Sequence, residues 1–298
     1  MTLRASFIVN AKAGNGAGLA AAGAAAQVLV AAGIEANILV PKSQADAELA
    51  SHEAVRAGVD MVIACGGDGT INTVLQAVAQ SSIILGVIPT GTGDDNSRTL
   101  GVPRGDPRAA ASFIVEQAAT PKTVDLAQVT LPDGQKRWYL GVLSTGFDSS
   151  VNERANQMRW PSGKSRYLLG ILGELRAFSP VAYRVVIDGI SYEDTAMLVS
   201  IGNGISYGGG MRVCPNALVD DGELDITWLH EVSKATFMRV FPTVYKGTHV
   251  NNPKVQMFRG KLITVEATGQ IAYADGERLG PLPVEVKVVP GALRVLAR

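Results

Sequence analysis

Three glycines and one carboxylate stand together at Cys65–Asn72, reading CGGDGTIN, between an apolar run and a helical one. MVIAC (61–65) suits a strand buried on both faces, and INTVLQAVAQ (71–80) carries Ile71, Val74, Leu75 and Val78 at helical spacing. Gly66, Gly67 and Gly69 let a strand-to-helix turn come close to a ligand, where the first N–H groups of the helix favour an anion. Asp68 would repel phosphates unless a divalent cation bridges the two or its carboxylate bonds a sugar hydroxyl, which points to a nucleotide with magnesium. A tight turn with an Asp cap fits the same residues. A second apolar run, IILGVIP (83–89), opens into Thr90-Gly91-Thr92-Gly93-Asp94-Asp95-Asn96. Two such loops at the carboxyl ends of consecutive parallel strands face one crevice, where open α/β sheets bind ligands.

Other groups of residues are open to two readings. Asp221-Gly222-Glu223 offers carbonyl oxygens and a carboxylate suited to magnesium, and it also reads as a solvated acidic turn. Asp275-Gly276, between β-like runs, reads as a hairpin turn. No G-x-x-x-x-G-K-[ST] occurs, so a Walker loop and its lysine are excluded. Gly14-Asn15-Gly16-Ala17-Gly18-Leu19 imitates a dinucleotide fingerprint, but its sixth position is Leu19 and the second strand ends at Val40-Pro41-Lys42 without a ribose-binding acid. A phosphate contact and a flexible helix entry both fit that loop.

The elements that must carry these residues change texture along the chain. The first 124 residues alternate strand and helix: SFIVN, an Ala-rich helix to about Ala32, IEANILV, a helix around Ala45–Ala57, MVIAC, a helix, IILGVIP, and Asp106–Ala119. That order predicts a parallel sheet with helices on its faces. After Pro121 come β-rich runs separated by turns: VDLAQVTL, KRWYLGVLS, VAYRVVI, ISYEDTAMLVSIGN, LDITWLH and KLITVEA. These predict an antiparallel β-sandwich with helical insertions near 165–178 and 233–246. The expected domains are therefore 1–123, an α/β nucleotide-binding domain, and 124–288, a β-rich substrate domain, with the active site in the cleft between them.

Composition narrows the partners. Of 298 residues, 47% are hydrophobic and 18% charged, and Lys plus Arg equals Asp plus Glu at 27 each, so no global field steers the chain to nucleic acid. Cys65 and Cys214 fit buried, reduced thiols better than a disulfide framework. The uncharged stretch Ala13–Ile34 is too rich in Ala and Gly to insert in a bilayer, and no signal peptide is legible. The expected location is the cytoplasm, peripheral to the membrane. Glu153–Ala177 places Arg154, Arg159, Lys164, Arg166 and Arg176 among Trp160, Tyr167, Leu168 and other apolar residues. Such a stretch suits transient contact with an anionic bilayer, and it suits an ordinary amphipathic helix as well. A homodimer is left open.

GGDGTIN followed by Pro89-Thr90-Gly91-Thr92-Gly93-Asp94-Asp95, the segment Pro215–Asp225 (PNALVDDGELD), Ala274-Asp275-Gly276-Glu277 and Asn10 together resemble the catalytic-domain family of diacylglycerol kinases. That family includes bacterial lipid kinases and sphingosine and ceramide kinases, with NAD kinases and phosphofructokinases as distant relatives. The resemblance implies an ATP-dependent kinase that moves the γ-phosphate to diacylglycerol or a similar lipid alcohol, giving phosphatidic acid or its analogue. It implies an NAD kinase- or phosphofructokinase-like first domain, to which the last strand (289–298, with LRVLAR) returns. It assigns the nucleotide to Gly66, Gly67, Asp68, Gly69, Thr70, Ile71, Asn72 and Thr92, and the catalytic base to Asp275. A structural magnesium would take the carbonyls of Leu218 and Glu223 and the carboxylate of Asp221, apart from the magnesium carried by ATP. Where many relatives read G-T-x-N-D-F-A, this chain has Asp94 and Asn96, and Pro41 replaces a frequent hydroxyl. Two rivals follow: an NAD kinase, for which a G-S-T-A-Y-like segment is missing, and a nucleotide-binding regulatory protein that has lost its chemistry.

Overall fold

The computed structural model describes residues 2–157, 170, 173–174 and 178–298. The chain divides into two compact units, Met1–Leu126 with Pro290–Arg298, and Ala127–Val289. In the first unit the order is β1 (Arg4–Val9), α1 (Ala13–Gly16), α2 (Gly18–Ala31), β2 (Glu35–Leu39), α3 (Gln44–Arg56), β3 (Met61–Gly66), α4 (Asp68–Val78), β4 (Ile84–Pro89), α5 (Asp95–Thr99) and α6 (Pro107–Gln117). The strands pair in parallel in the order β4-β3-β1-β2, and Arg294 and Val295 join in parallel beside Ile84 and Leu85. Every residue of β3 and β4 is buried, as continuous apolar runs require when both faces of a strand are covered. On α2 the buried stripe is Ala21, Ala22, Ala25, Ala26 and Leu29, and the small side chains let it lie close against α6. Side-chain caps set two helix starts. Ser43 Oγ accepts the Asp46 N–H at 3.1 Å and Asp106 accepts the Arg108 N–H at 2.9 Å, each cap contributing about 1 kcal/mol.

The division of the chain falls inside β5 (Lys122–Thr130). Beyond it the second unit holds β6 (Lys136–Tyr139), β7 (Val142–Gly146), α7 (Phe147–Gln157), β8 (Val181–Ile187), β9 (Ile190–Gly202), β10 (Leu224–His230), α8 (Lys234–Val240), β11 (Val255–Gly260), β12 (Leu262–Glu266), β13 (Ile271–Ala274), β14 (Glu277–Pro281) and the first part of β15 (Val284–Val295). Its strands run antiparallel in the order β14-β13-β7-β9-β8-β12-β15, while residues 196–202 of β9 also pair with β10, and β10 with β11. Tyr139, Tyr183, Val185, Ile226, Trp228 and Ile263 are buried together in a sandwich-like core, and Phe147, Met197, Leu229 and Phe237 form a second cluster. Each fully buried side chain of this size contributes about 1.5–3 kcal/mol.

Several expectations need adjusting. KRWYLGVLS is two strands, because the chain breaks at Leu140 and Gly141, whose N–H groups donate to Asp275. Helix α4 begins at Asp68, three residues earlier than the apolar spacing indicates, since Thr70 and Ile71 both donate to Gly67 O at 2.9 and 3.1 Å. The insertion at 233–246 is α8 followed by a 3₁₀ segment, Phe241–Lys246. Most of the insertion at 165–178, and most of the basic stretch, lie outside the described residues. Among the described residues no helix is long and apolar enough to cross a membrane. Burial pushes the thiols of Cys65 and Cys214 up to about 12, so both behave as small apolar side chains.

Asp148, in the first turn of α7, is buried and accepts a hydrogen bond from Tyr207 Oη. Burial raises its carboxyl from 3.8 to about 6, against the lowering effect of the Tyr207 bond. The folded protein therefore holds the proton more tightly than the unfolded chain. The stability this contributes is present below about pH 4 and lost as pH rises through about 6. Relative to Asp148→Asn, the wild type should lose roughly 3 kcal/mol of unfolding free energy over that window, measured by urea titration at each pH.

Candidate active site

The site residues of the first unit sit where β1, β3 and β4 end. Thr90 N–H donates to Gly66 O at 2.9 Å and joins the two principal loops. Gly67 and Gly91 meet there: a Cβ on Gly91 would lie 2.7 Å from Gly67 Cα, so any side chain would push the loops apart. Gly14, at φ +59°, comes as close to the same place, since its Cβ would meet Thr90 O at 2.9 Å. The three loops thus form one backbone-lined cradle.

Asp68 has a use that the sequence does not disclose. Its carboxylate accepts the N–H of Asp95 at 3.2 Å and of Asn96 at 2.9 Å, capping α5 from a different loop. Asp94, buried and in the left-handed region at φ +51°, accepts the Gly91 N–H at 3.1 Å and closes its own turn. Burial raises its carboxyl, with Gly91, Arg104 and Arg98 opposing. Thr70 and Ile71 are buried and their N–H groups serve the first turn of α4, whereas Asn72 Oδ1 accepts from Gln76 Nε2 at 3.3 Å. Thr92 is exposed.

The cradle suits a polyphosphate. Thr90 Oγ1 and Asn96 Nδ2 are buried and have no hydrogen-bond partner among the described residues, and Arg98 Nη1 is in the same condition. Buried donors of this kind require an acceptor. Thr90, Asn96 and Arg98 were not among the residues that sequence reasoning assigned. The one legible signal was Thr90, the first hydroxyl after β4.

In the second unit Asp275 and Gly276, at φ +50° and +84°, form the two-residue turn between β13 and β14. Only 8% of Asp275 is exposed. Its two carboxylate oxygens accept the N–H of Gly141 at 2.9 Å and of Leu140 at 3.1 Å, and its own N–H donates to Val142 O at 3.2 Å. Asn203 holds the other side of that break: its Nδ2 donates to Leu140 O at 3.0 Å and its N–H to Gly141 O at 2.9 Å. Glu153 of α7 clasps both strands of the hairpin, its Oε1 accepting from Tyr273 Oη at 2.6 Å and Arg278 Nε at 2.7 Å. The Tyr273 bond foremost holds the Glu153 carboxyl below the usual range.

Asp221 and Glu223 meet a cation belonging to the protein. Arg259 reaches Asp221 Oδ2 with Nη2, Glu223 Oε2 with Nη1 at 2.9 Å and Asp225 Oδ2 with Nε at 3.5 Å. The Leu218 side chain is exposed. Among the described residues no group of three or more His, Cys, Asp or Glu is placed to hold a metal ion. Arg259 thus neutralises part of this acidic cluster, and a magnesium held by the carbonyls of Leu218 and Glu223 would have to share the Asp221 carboxylate with it. Arg259→Gln should lower stability by about 1–3 kcal/mol by leaving the buried Asp225 carboxylate without its partner. Thermal melts of the wild type and the variant measure the loss.

A parallel α/β unit with a glycine-lined cradle, joined to an antiparallel sandwich-like unit carrying an Asp-Gly turn, is the architecture of a phosphotransferase with two working parts. Residues 4–129 match the diacylglycerol kinase catalytic domain, and residues 141–297 match the YegS C-terminal NAD kinase beta sandwich-like domain. The chain is 40% identical to a diacylglycerol kinase of Mycobacterium tuberculosis (strain ATCC 25618 / H37Rv), covering 98% of this chain and 94% of that one. It is 30% identical to a diacylglycerol kinase of Bacillus subtilis (strain 168), covering 85% and 83%. A crystal structure from Bacillus anthracis str. Sterne assigned to the diacylglycerol kinases superposes with a TM-score of 0.79 at 27% identity, covering 100% of this chain and 97% of that one. The chain belongs to the diacylglycerol kinase and YegS family of lipid kinases.

Proposed function

We propose that this lipid kinase transfers the γ-phosphate of ATP to the hydroxyl of diacylglycerol or a closely similar lipid alcohol, giving phosphatidic acid or its analogue. The observation that carries the donor half is the cradle of Gly14, Gly67 and Gly91 with the unpartnered donors Thr90 and Asn96 beside it. These groups would hold the phosphates, and magnesium arriving with ATP would neutralise their charge. Asp68 serves this donor site by fixing α5, which carries Asn96. The name of the relative that is 40% identical supports diacylglycerol as the acceptor. A lipid acceptor entails transient contact with a membrane surface.

Asp275 is the proposed base, taking the proton of the acceptor hydroxyl as the new P–O bond forms. Its two backbone hydrogen bonds aim the carboxylate, and Glu153 braces the strands on either side. In a mixed-micelle assay with γ-labelled ATP and magnesium, label should enter diacylglycerol. Label in NAD would overturn the assignment, and ATP binding without turnover would bring forward the regulatory alternative. Asp275→Asn should lower kcat by about 10²–10⁴-fold with ATP binding retained. Glu153→Gln, a change in a positioning residue, should lower kcat about tenfold and leave KM for ATP unchanged, a split that general destabilisation would not produce.

A further inference from the structure

The parallel sheet of the first unit ends at β2. Arg4 pairs with Glu35 and Ser6 with Asn37, and side chains alternate along a strand, so these four share one face with Leu39. Opposite them Ala50, Glu53, Ala54 and Ala57 follow at i, i+3, i+4 and i+7, one stripe of α3 and its end. The alanines are too short to fill the space, and a cavity of about 410 cubic ångströms lies between strand and helix. Ser6, on the strand side, is only 4% exposed, and its hydroxyl has no hydrogen-bond partner among the described residues. A hydroxyl in that condition needs a partner that enters from the cavity. Glu35 and Glu53 stand on opposite walls, and neither forms an ion pair among the described residues. Arg4, a cation of the same lining, is already engaged: its guanidinium donates to Gly58 O and its N–H to Asp60 Oδ2 at 2.8 Å.

We propose that this cavity binds a linear aliphatic polyamine, one ammonium group donating to Ser6 Oγ and the others meeting Glu35 and Glu53, with its methylenes against Leu39, Ala54 and Val59. An anion would face two carboxylates, and a neutral chain would forgo both attractions. Shape decides against a compact cation. From Glu35 to Leu39 the strand rises about 13 Å, and from Ala50 to Ala57 the helix rises about 10 Å, so the slot suits a chain rather than a point charge. A magnesium ion keeps most of its own water shell and would leave the alanine-lined length unfilled. The volume lies in the range of small-molecule sites, about 300–1,000 cubic ångströms. Arg4, Glu35 and Val59 stand at or beside the amino ends of β1, β2 and β3, whereas the glycine cradle lies where β1, β3 and β4 end. The site is therefore separate from that cradle and independent of the lipid-kinase reading.

The test is calorimetric titration of the purified full chain with spermidine, with butylamine and with magnesium chloride, all at one ionic strength and without nucleotide. Spermidine should saturate a single site with a Kd below about 1 mM, and butylamine should bind at least about tenfold more weakly. Glu35→Gln and Glu53→Gln should each weaken spermidine about 2–5-fold, and Ser6→Ala about 2–10-fold. Glu231→Gln, which removes an exposed carboxylate outside the lining, should leave its affinity unchanged. Absence of saturable spermidine binding would overturn the proposal. So would butylamine or magnesium binding as tightly as spermidine, or wild-type affinity in Ser6→Ala and both glutamine variants of the lining, because a diffuse effect of charge would then explain the data. If one variant fails to fold, the remaining two and the comparison of the three cations decide.

Discussion

Backbone N–H groups left over where strands end and helices begin must find acceptors, and here aspartate carboxylates far away in the chain supply them. Asp68 takes two from the start of α5, Asp275 takes two from the break between β6 and β7, Asp188 takes those of Lys261 and Leu262, and Asp125 takes that of Gly291. Bonds to a carboxylate are stronger than those between neutral groups. They fix loops that no sheet ladder reaches. The cradle of the first unit and the Asp-Gly turn of the second both owe their shape to this device, so substituting any of these acids moves backbone as well as charge.

That device also explains what was legible. The parallel part could be read because β3 and β4 are unbroken apolar runs and α2 shows a stripe of small residues, patterns written in neighbouring positions. The break at Leu140 and Gly141 could not, because its cause lies 134 and 135 residues further along the chain. Strands β13 and β14 are only four and five residues long, too short for alternation to identify them. Of the site, the glycines announced themselves by type and spacing. That Thr90 Oγ1 and Asn96 Nδ2 are buried without partners among the described residues was not legible, because a donor without a partner is a property of the packed structure.

One departure from the family pattern has a physical reading. At Asp94 the backbone is left-handed, a conformation that Asp tolerates as Asn does, and its carboxylate closes the turn by accepting the Gly91 N–H. The acid in place of an amide therefore preserves the loop. Around Asp221, where the chain matches the family pattern, the acids also meet Arg259, a cation that folds with the chain.

The hairpin reading and the catalytic reading of Asp275 are therefore compatible. A general base must be held within hydrogen-bond reach of the proton it accepts, and a side chain on a mobile loop would lose that position to thermal motion. The turn fixes the backbone of Asp275, the N–H groups of Leu140 and Gly141 fix its carboxylate, and Glu153 fixes the strands on either side. One N–H bond at each carboxylate oxygen sets the plane of the group. The structural bonds thus orient the group that the proposed chemistry requires.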